Sequence, residues 1–325
     1  MNKKLVLIRV DANRRRGMGH LFRMINLSGV LSSMGVESLF VIIEDEVAER
    51  ILGEKETSYT VYPSGTSELE IIQDILETVK DFPDIWIYDI LNTEISWIKS
   101  IKEKNVKVVT FDDEAGGLEA ADLVINSVVH SWGNYDPSSA RARLLEGAEY
   151  AVLNSCIFEL RKERTIRPGH PFSIGITMGG SDAYGVTISI VEALDSFASG
   201  EHEIVVFTGP HFRYMLDLEK VVEKCRHKVV IKDMVQNLHE ELDTMDLIIC
   251  AGGVTLFEIS AMGLPSLAFA KEPHERLTIK YFQSLGACGS IGSRTKQGDD
   301  SMREELHEYL NNISLLNSFA SSNYK

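Results

Sequence analysis

Short apolar runs alternate with helical segments along most of this chain, and this alternation constrains the fold more than any other feature. The runs have the length and β-branched content of buried parallel strands, and the first is Leu5–Val10. The other predicted strands are 38–43, 59–62, 84–89, 106–111, 123–126, 150–153, 173–178, 203–208, 228–231, 247–250 and 267–269. Strands joined by helices of about ten residues or more form right-handed βαβ units, which predicts parallel sheets in an α/β protein.

The length of the chain and a change in its composition indicate two domains. At 325 residues, of which 44% are hydrophobic, the chain can bury the cores of about two domains. The stretch 161–171 is charged and ends in Pro-Gly and Pro, which is typical of a linker. A strand followed by a glycine turn and a helix begins again at 173. We therefore predict two doubly wound α/β domains, 1–165 and 166–325.

Charge and cysteine content argue against several functions. The formal net charge of −15 disfavours non-specific binding to nucleic acid or to an anionic membrane. The four cysteines form no CxxC pair, which disfavours a zinc site and fits reduced thiols in the cytoplasm. No apolar run approaches the roughly 18 residues of a membrane-spanning helix, and the N-terminus lacks a signal-peptide cleavage site. We expect a cytoplasmic protein with a small-molecule ligand, no stable membrane insertion, no metal and no cofactor.

A glycine turn joins the first predicted strand to the first predicted helix. Gly17 and Gly19 interrupt the chain just before His20, and apolar residues then recur every three or four positions, as on one face of a helix. The N–H groups and the dipole of a helix N-terminus favour an anion at such a turn. His20 can exchange a proton near neutral pH, so it is either a catalytic histidine or a histidine that only caps the helix.

Basic residues are concentrated around this turn, although the protein is acidic overall. They are Arg9, Arg14, Arg15, Arg16 and Arg23. A basic rim on one glycine turn suits a small anionic ligand such as a nucleotide. For Arg14 and Arg15 a solvated charge run is the alternative interpretation.

Acidic residues follow two predicted strands of the first domain. Asp89 ends one strand, and Asp112, Asp113 and Glu114 follow the next. Ligands of open α/β sheets bind outside the carboxyl ends of the strands, so these side chains are expected at the ligand-facing edge. For the run from Asp112 to Glu114 we favour a helix cap or a turn over direct catalysis.

A glycine turn of the same kind lies in the second domain. Gly252 and Gly253 follow a predicted buried strand and precede a helix that begins near Val254. The N–H groups of Gly253, Val254 and Thr255 would face a phosphate. Glu258, about one turn into the helix, would point to the same side and accept hydrogen bonds from the two hydroxyls of a ribose. The alternative is an acid that only complements the helix dipole.

Four motifs carry a resemblance to a known family. They are, in order, Gly17-Met18-Gly19-His20, Phe111-Asp112-Asp113-Glu114, Met178-Gly179-Gly180-Ser181-Asp182 and the segment 252–265. From about residue 5 to about residue 285, the chain resembles the UDP-2,4-diacetamido-2,4,6-trideoxy-β-L-altropyranose hydrolases of pseudaminic acid biosynthesis and their spore-coat polysaccharide relatives. More distantly, 252–265 is similar to the nucleotide-binding segment of the peptidoglycan N-acetylglucosaminyltransferase.

The resemblance implies a GT-B fold, with two Rossmann-like domains facing a cleft that holds a UDP-sugar. It implies that His20 is the general base that activates water to attack the anomeric carbon, with inversion and without a metal ion. The implied nucleotide contacts are Gly19, Gly180, Ser181, Gly252, Gly253, Val254, Thr255 and Glu258. The candidates on the sugar side are Arg16, Asp89, Asp113 and His274.

The chain departs from the family pattern on the sugar side, which leaves the sugar open. Ile90-Leu91-Asn92 stands where a tyrosine is usual, and Lys271-Glu272-Pro273-His274-Glu275 stands where many members carry Asn-Gln. The residues before the first motif are usually small and polar, and here they are Arg14-Arg15-Arg16. A glycosyltransferase that uses His20 on an acceptor hydroxyl, and a non-catalytic UDP-sugar binding protein, stay open beside the hydrolase. The oligomeric state is also open.

Overall fold

The computed structural model describes residues 4–13, 17–79, 82–90, 92–113, 115–127, 142–169, 172–196, 202–294 and 299–324. They form two compact units, Met1–Val152 (unit 1) and Leu153–Lys325 (unit 2). The sequence places the boundary after residue 165, whereas the contacts of the folded chain place it after Val152. The reason is that the predicted linker bonds to unit 2: Arg161 donates to the carbonyl oxygen of Ala261, and Arg164 to that of Asp243.

Unit 1 is a parallel sheet with helices on both faces. Its strands, within the described residues, have the order β3-β2-β1-β4-β5-β6-β7. The strands are β1 (Leu5–Val10), β2 (Glu37–Ile43), β3 (Ser58–Tyr62), β4 (Ile85–Asp89), β5 (Lys107–Phe111), β6 (Leu123–Asn126) and β7 (Arg143–Glu146). The helices are α1 (Gly19–Ser33), α2 (Glu46–Glu54), α3 (Glu68–Thr78) and α4 (Ile95–Lys102), with 3-10 turns at Gly116–Glu119 and Ala148–Tyr150.

Alternate residues of the central strands supply two separate cores in unit 1. On β1, Ile8 and Val10 pack against α1 and α2, whereas Leu7 packs on the other face against α3 and α4. Successive side chains of a strand point to opposite faces, so a strand covered on both sides is apolar at nearly every position. This requirement explains why five of the six residues of Leu5–Val10 are apolar; the exception, Arg9, is buried and donates to Glu68.

Unit 2 repeats the architecture of unit 1. Its described strands are all parallel and have the order β10-β9-β8-β11-β12-β13. They are β8 (Ser173–Thr177), β9 (Glu203–Thr208), β10 (Lys228–Asp233), β11 (Leu247–Ala251), β12 (Ser266–Ala270) and β13 (Gly289–Ser293). The helices are α5 (Cys156–Leu160), α6 (Val186–Asp195), α7 (Met215–Val222), α8 (Leu238–Asp243), α9 (Val254–Ala261), α10 (Glu275–Ser284), α11 (Asp299–Asn311) and α12 (Ile313–Tyr324).

The structure differs from the sequence-based elements in several places. The stretch 150–153 is not a strand; the edge strand is β7, which pairs with β6. Strand β13 was not predicted, because its sequence GSIGS has a weak strand signal, and helix α5 was not predicted either. The C-terminal stretch forms α11 and α12, and Leu316 and Phe319 of α12 are buried in the core of unit 2. Among the described residues, no helix has the length and apolarity that crossing a bilayer requires.

Candidate active site

The strand order reverses once in each sheet, and four of the predicted site residues, His20, Asp89, Gly180 and Gly252, belong to the strands and turns at these two reversals. In unit 1, β1 lies between β2 and β4; in unit 2, β8 lies between β9 and β11. Ligands of open α/β sheets bind outside the carboxyl ends of the strands at such a switch point. In unit 1, β1 leads into the turn before His20 and β4 ends at Asp89. In unit 2, Gly180 follows β8 and Gly252 follows β11.

His20 lies in the first turn of α1 and contacts the last residue of β4. Its Nδ1 is 2.6 Å from Oδ1 of Asp89, whose side chain is completely buried. A carboxylate can only accept a hydrogen bond, so the proton at this contact belongs to Nδ1. Nε2 of the neutral imidazole is then the acceptor and can take a proton from a reacting group. The sequence placed Asp89 on the sugar side, and the structure joins it to His20.

Arg23, one turn further along α1, belongs to the same cluster. Its guanidinium donates to both carboxylate oxygens of Asp89 and to Oδ2 of Asp112, and its Nη2 is 3.3 Å from Nδ1 of His20. The other oxygen of Asp112 accepts from the N–H of Ser127 at 2.9 Å. Sequence reasoning counted Arg23 only among the basic residues of the first turn. Its i,i+3 spacing from His20 was the available signal that the two share a helix face.

Opposite charges keep this cluster ionised despite its burial. Burial opposes ionisation of Asp89, but the charges of Arg23 and then of His20 outweigh it and lower the pKa of Asp89 to about 2. Burial likewise opposes the charge of Arg23, but Asp89 and Asp112 raise its pKa above the ordinary value. At neutral pH, Asp89 is therefore a carboxylate that orients His20 and stabilises its protonated form.

Asp89 is expected to stabilise the fold above about pH 4 and to lose this contribution in acid. The pKa of Asp89 is about 2 in the folded protein and about 3.9 in an unfolded chain. The stabilisation is therefore complete above the pKa of Asp89 in the unfolded chain and is lost as the pH falls toward the pKa in the folded protein. Over this range the free energy of unfolding should fall by about 2 kcal/mol. Denaturant unfolding across this range measures the loss. Asp89→Asn should lack it, and an equal pH dependence in both proteins would contradict the prediction.

The glycine turn after β11 is shaped for close packing and leaves a helix N-terminus uncapped. A Cβ on Gly252 would lie 2.7 Å from the carbonyl oxygen of Glu275, so the turn can approach α10 only with glycine at this position. Gly253 is the N-cap of α9, and no side chain caps the helix there. The first N–H groups of a helix have no intrahelical acceptor, so those of Val254 and Thr255 are placed to bind an anion.

Glu258 is buried one turn into α9 and lies beside two side chains that sequence reasoning missed. Nε2 of His239 is 3.2 Å from Oε1 of Glu258, and Nδ1 of the same ring is 3.7 Å from Sγ of Cys156. Cys156 is in α5 and His239 in α8, 83 residues later. No local pattern in the sequence could have indicated this cluster, because tertiary packing alone brings these helices together.

The loop after β8 is fixed by a helix cap and by a close glycine contact. The carboxylate of Asp182 accepts hydrogen bonds from the N–H groups of Val186 and Thr187 at 3.0 and 2.9 Å, which caps α6. A Cβ on Gly209 would lie 2.5 Å from Cα of Gly180. Ser181 is buried beside them. Gly180 and Ser181 thus occupy a defined position at the carboxyl end of β8 and stay candidates for nucleotide binding.

Of the other sugar-side candidates, Asp113 lies in unit 1 and does not bond to the His20 cluster. Asp113 is buried and accepts hydrogen bonds from the N–H groups of Thr93 and Ala115 at 3.1 and 3.0 Å, so it holds the loop after β5 in place, as a turn residue does. His274 is the N-cap of α10. Arg16 lies outside the described residues, as do Arg14, Arg15, Leu91 and Glu114.

A metal site was not expected from the sequence. Among the residues that the structure describes, no group of three His, Cys, Asp or Glu side chains is arranged to hold a metal ion. Metal-independent chemistry stays a prediction.

Comparison with known proteins gives distant relatives. No protein-family model matches the chain. It is 27% identical over 282 residues to an uncharacterized protein of Methanocaldococcus jannaschii. This match covers 83% of this chain and 56% of the relative, so the chain spans little more than half of that protein's length. It is 24% identical over 312 residues to the spore coat polysaccharide biosynthesis protein SpsG of Bacillus subtilis, covering 94% of this chain and 88% of SpsG.

A shorter match is to an enzyme that carries a UDP-sugar in its name. The UDP-N-acetylglucosamine–N-acetylmuramyl-(pentapeptide) pyrophosphoryl-undecaprenol N-acetylglucosamine transferase of Bacillus cytotoxicus is 29% identical over 126 residues. The match covers 36% of this chain and 33% of the transferase.

Solved structures share the architecture of both units. MurG of Acinetobacter baumannii superposes with a TM-score of 0.68 and 14% identity, covering 99% of this chain and 94% of MurG. The spinosyn rhamnosyltransferase SpnG, complexed with thymidine diphosphate, gives a TM-score of 0.62 and 14% identity, covering 98% of this chain and 94% of SpnG. The chain therefore has a GT-B fold built from two Rossmann-like parallel-sheet domains, which confirms the predicted fold class. The similarity to SpsG confirms the spore-coat part of the sequence resemblance.

Proposed function

We propose that this protein is an enzyme that cleaves a UDP-sugar with water, in the biosynthesis of a nonulosonic (pseudaminic-type) acid or another surface polysaccharide. The observation that carries the proposal is the pair of His20 and Asp89 at the switch point of unit 1. A protonated Nδ1 leaves Nε2 of His20 as a general base. The similarity to SpsG over 94% of the chain supports the biosynthetic role. The shorter similarity to an N-acetylglucosamine transferase supports a UDP-sugar as the substrate.

In the proposed reaction, Nε2 of His20 takes a proton from water while the water oxygen attacks the anomeric carbon. The bond between that carbon and the diphosphate oxygen breaks, and UDP leaves with the bonding electrons. The free sugar has the inverted anomeric configuration, and a diacetamido-trideoxy sugar is the candidate that follows from the family resemblance. The imidazolium that forms is stabilised by the carboxylate of Asp89 and returns its proton to solvent.

We assign the nucleotide to unit 2. The uncapped N-terminus of α9 offers the N–H groups of Gly253, Val254 and Thr255 to the diphosphate, and such donors stabilise the leaving group. Glu258 is largely buried, with 11% of its side chain exposed, and its Oε1 lies 3.2 Å from Nε2 of His239. A carboxylate only accepts hydrogen bonds, and the two hydroxyls of a ribose would donate them.

Turnover without an acceptor tests this proposal. The purified protein is incubated with UDP-N-acetylglucosamine and a panel of UDP-linked diacetamido-trideoxy sugars, and UDP and free sugar are measured by chromatography. We expect equal amounts of UDP and free sugar from at least one substrate. Binding of the panel without release of UDP would contradict hydrolysis, and failure to bind any UDP-sugar would contradict the substrate class.

A glycosyltransferase is the second candidate, and exposed apolar side chains along α1 favour it. Phe22 and Val30 of α1 and its C-cap Met34 expose 41%, 54% and 72% of their surface. Exposed apolar side chains suit an acceptor that has an apolar part. In this case His20 would deprotonate an acceptor hydroxyl in place of water. The turnover experiment separates the candidates, because a transferase releases UDP at a substantial rate only when its acceptor is added.

A further inference from the structure

A row of three side chains in unit 2 ends at Glu258. Sγ of Cys156 is 3.7 Å from Nδ1 of His239, and Nε2 of His239 is 3.2 Å from Oε1 of Glu258. The side chains of His239 and Glu258 expose only 15% and 11% of their surface. Helices α5, α8 and α9 each supply one member of the row. Of these residues, only Glu258 has a role in the proposed function.

The protonation states along the row place a donor beside Glu258. Burial, and then the charge of Glu258, raises the pKa of Cys156, so its thiol keeps its proton at neutral pH. The thiol can donate to Nδ1 of His239, and the neutral imidazole then carries its own proton on Nε2, the nitrogen that faces Glu258.

The contact between His239 and Glu258 has the distance of a hydrogen bond without its alignment. Nε2 is buried and makes no aligned hydrogen bond, although 3.2 Å separates it from Oε1. Hydrogen bonds in enzyme sites are often long or poorly aligned without ligand and tighten in the complex. An unpartnered buried donor beside a buried carboxylate therefore indicates a site completed by a ligand.

Holding one oxygen of Glu258 would help the carboxylate to bind a diol. Glutamate has several rotatable bonds, and ordering them when a ligand binds lowers the affinity. Among the described residues, His239 is the side chain at ion-pair distance from Glu258. Because Nε2 of His239 already lies 3.2 Å from Oε1, only the alignment of this contact remains when the ligand binds, and less ordering of Glu258 is needed at that step.

We propose that His239 is a positioning residue: supported by Cys156, it holds the carboxylate of Glu258 in the orientation that binds the 2′- and 3′-hydroxyls of a ribose. This inference rests on the proposed function, in which Glu258 binds the ribose of UDP. It adds that selectivity for a ribonucleotide over its 2′-deoxy analogue depends on His239 as well as on Glu258.

Calorimetric binding of UDP and 2′-deoxy-UDP tests the inference. The wild-type protein is expected to bind UDP at least about tenfold more tightly than 2′-deoxy-UDP, because a hydrogen bond from a hydroxyl to a carboxylate contributes about that factor. The affinity for UDP divided by that for 2′-deoxy-UDP is the ratio that the variants should change. His239→Leu has no donor and should lower the ratio of the two affinities to about threefold or less, because UDP loses its contacts through both hydroxyls whereas 2′-deoxy-UDP has only its 3′-hydroxyl to lose. The matched variant His239→Gln retains an amide donor and should keep most of the ratio.

Glu258→Gln separates failure of the inference from failure of the proposed function. Loss of the ratio in both Glu258→Gln and His239→Leu supports the positioning role. Loss in Glu258→Gln with an unchanged ratio in His239→Leu overturns that role and leaves the proposed function standing. A wild-type ratio near one overturns the assignment of Glu258 to the ribose and, with it, this inference, whereas failure to bind UDP overturns the proposed nucleotide site as well.

A second pair of variants keeps the test decisive if His239→Leu does not fold. The hydroxyl of Cys156→Ser can still donate to His239, whereas Cys156→Val cannot. The ratio should therefore fall in Cys156→Val and persist in Cys156→Ser. If both variants fold and have equal ratios of UDP to 2′-deoxy-UDP affinity, Cys156 does not support His239 through a hydrogen bond, and that part of the proposal is overturned.

Discussion

Replacement of His20 by alanine is expected to lower kcat for UDP release by about 10²- to 10⁴-fold, the range that a general base contributes. The variant loses Nε2, while Arg23 still neutralises Asp89. The residues proposed to hold the nucleotide in unit 2 are unchanged, so the affinity for UDP should change by less than about threefold. Steady-state kinetics and calorimetric binding of UDP measure the two effects separately.

An exposed histidine elsewhere provides the control for this variant. His307→Ala removes an exposed side chain of α11 and should leave kcat unchanged. A kcat of His20→Ala within about threefold of the native value would contradict the role of the base.

The elements around His20 could be predicted because their signals are local. The run Leu5–Val10, apolar at every position except the buried Arg9, is typical of a strand buried on both faces. The glycines before His20 and the helical spacing after it then mark a turn and a helix start. The same reasoning predicted β11, the turn at Gly252 and α9, because each signal lies within a few neighbouring residues.

The partners of His20 could not be predicted, because strand order is a tertiary property. Asp89 is 69 residues from His20, and Asp112 is 89 residues from Arg23. They meet because β4 lies beside β1 and β5 beside β4 in the folded sheet. The sequence shows that acids end these strands, but it does not show which strand neighbours which. It therefore could not distinguish Asp112, which joins the cluster, from Asp113, which holds a loop.

Arg23→Met is expected to destabilise the folded protein by about 3–5 kcal/mol, the cost of removing one partner from a buried ion pair. Arg23 is 4% exposed and donates to both Asp89 and Asp112. Methionine has a similar length and no charge, so it leaves the carboxylate of Asp89 buried with only His20 beside it. The guanidinium also lies 5.6 Å from the ring centroid of Phe111, and this cation–π contact is lost as well. Denaturant unfolding at pH 7 measures the difference.

Neutralising the carboxylate in the same chain should recover part of the loss. Arg23→Met combined with Asp89→Asn leaves one buried charge fewer. The loss of stability in the double variant should therefore be smaller than the sum of the two single losses by at least about 1 kcal/mol. Arg23→Lys keeps the charge but cannot donate to two carboxylates as the planar guanidinium does. Its stability should therefore lie between that of the native protein and that of Arg23→Met. A loss of stability below about 1 kcal/mol in Arg23→Met would mean that water already solvates the carboxylates that Arg23 contacts. Asp89 would then not need Arg23 to stay ionised, and the geometry that leaves Nε2 of His20 as the base would rest on the His20–Asp89 contact alone.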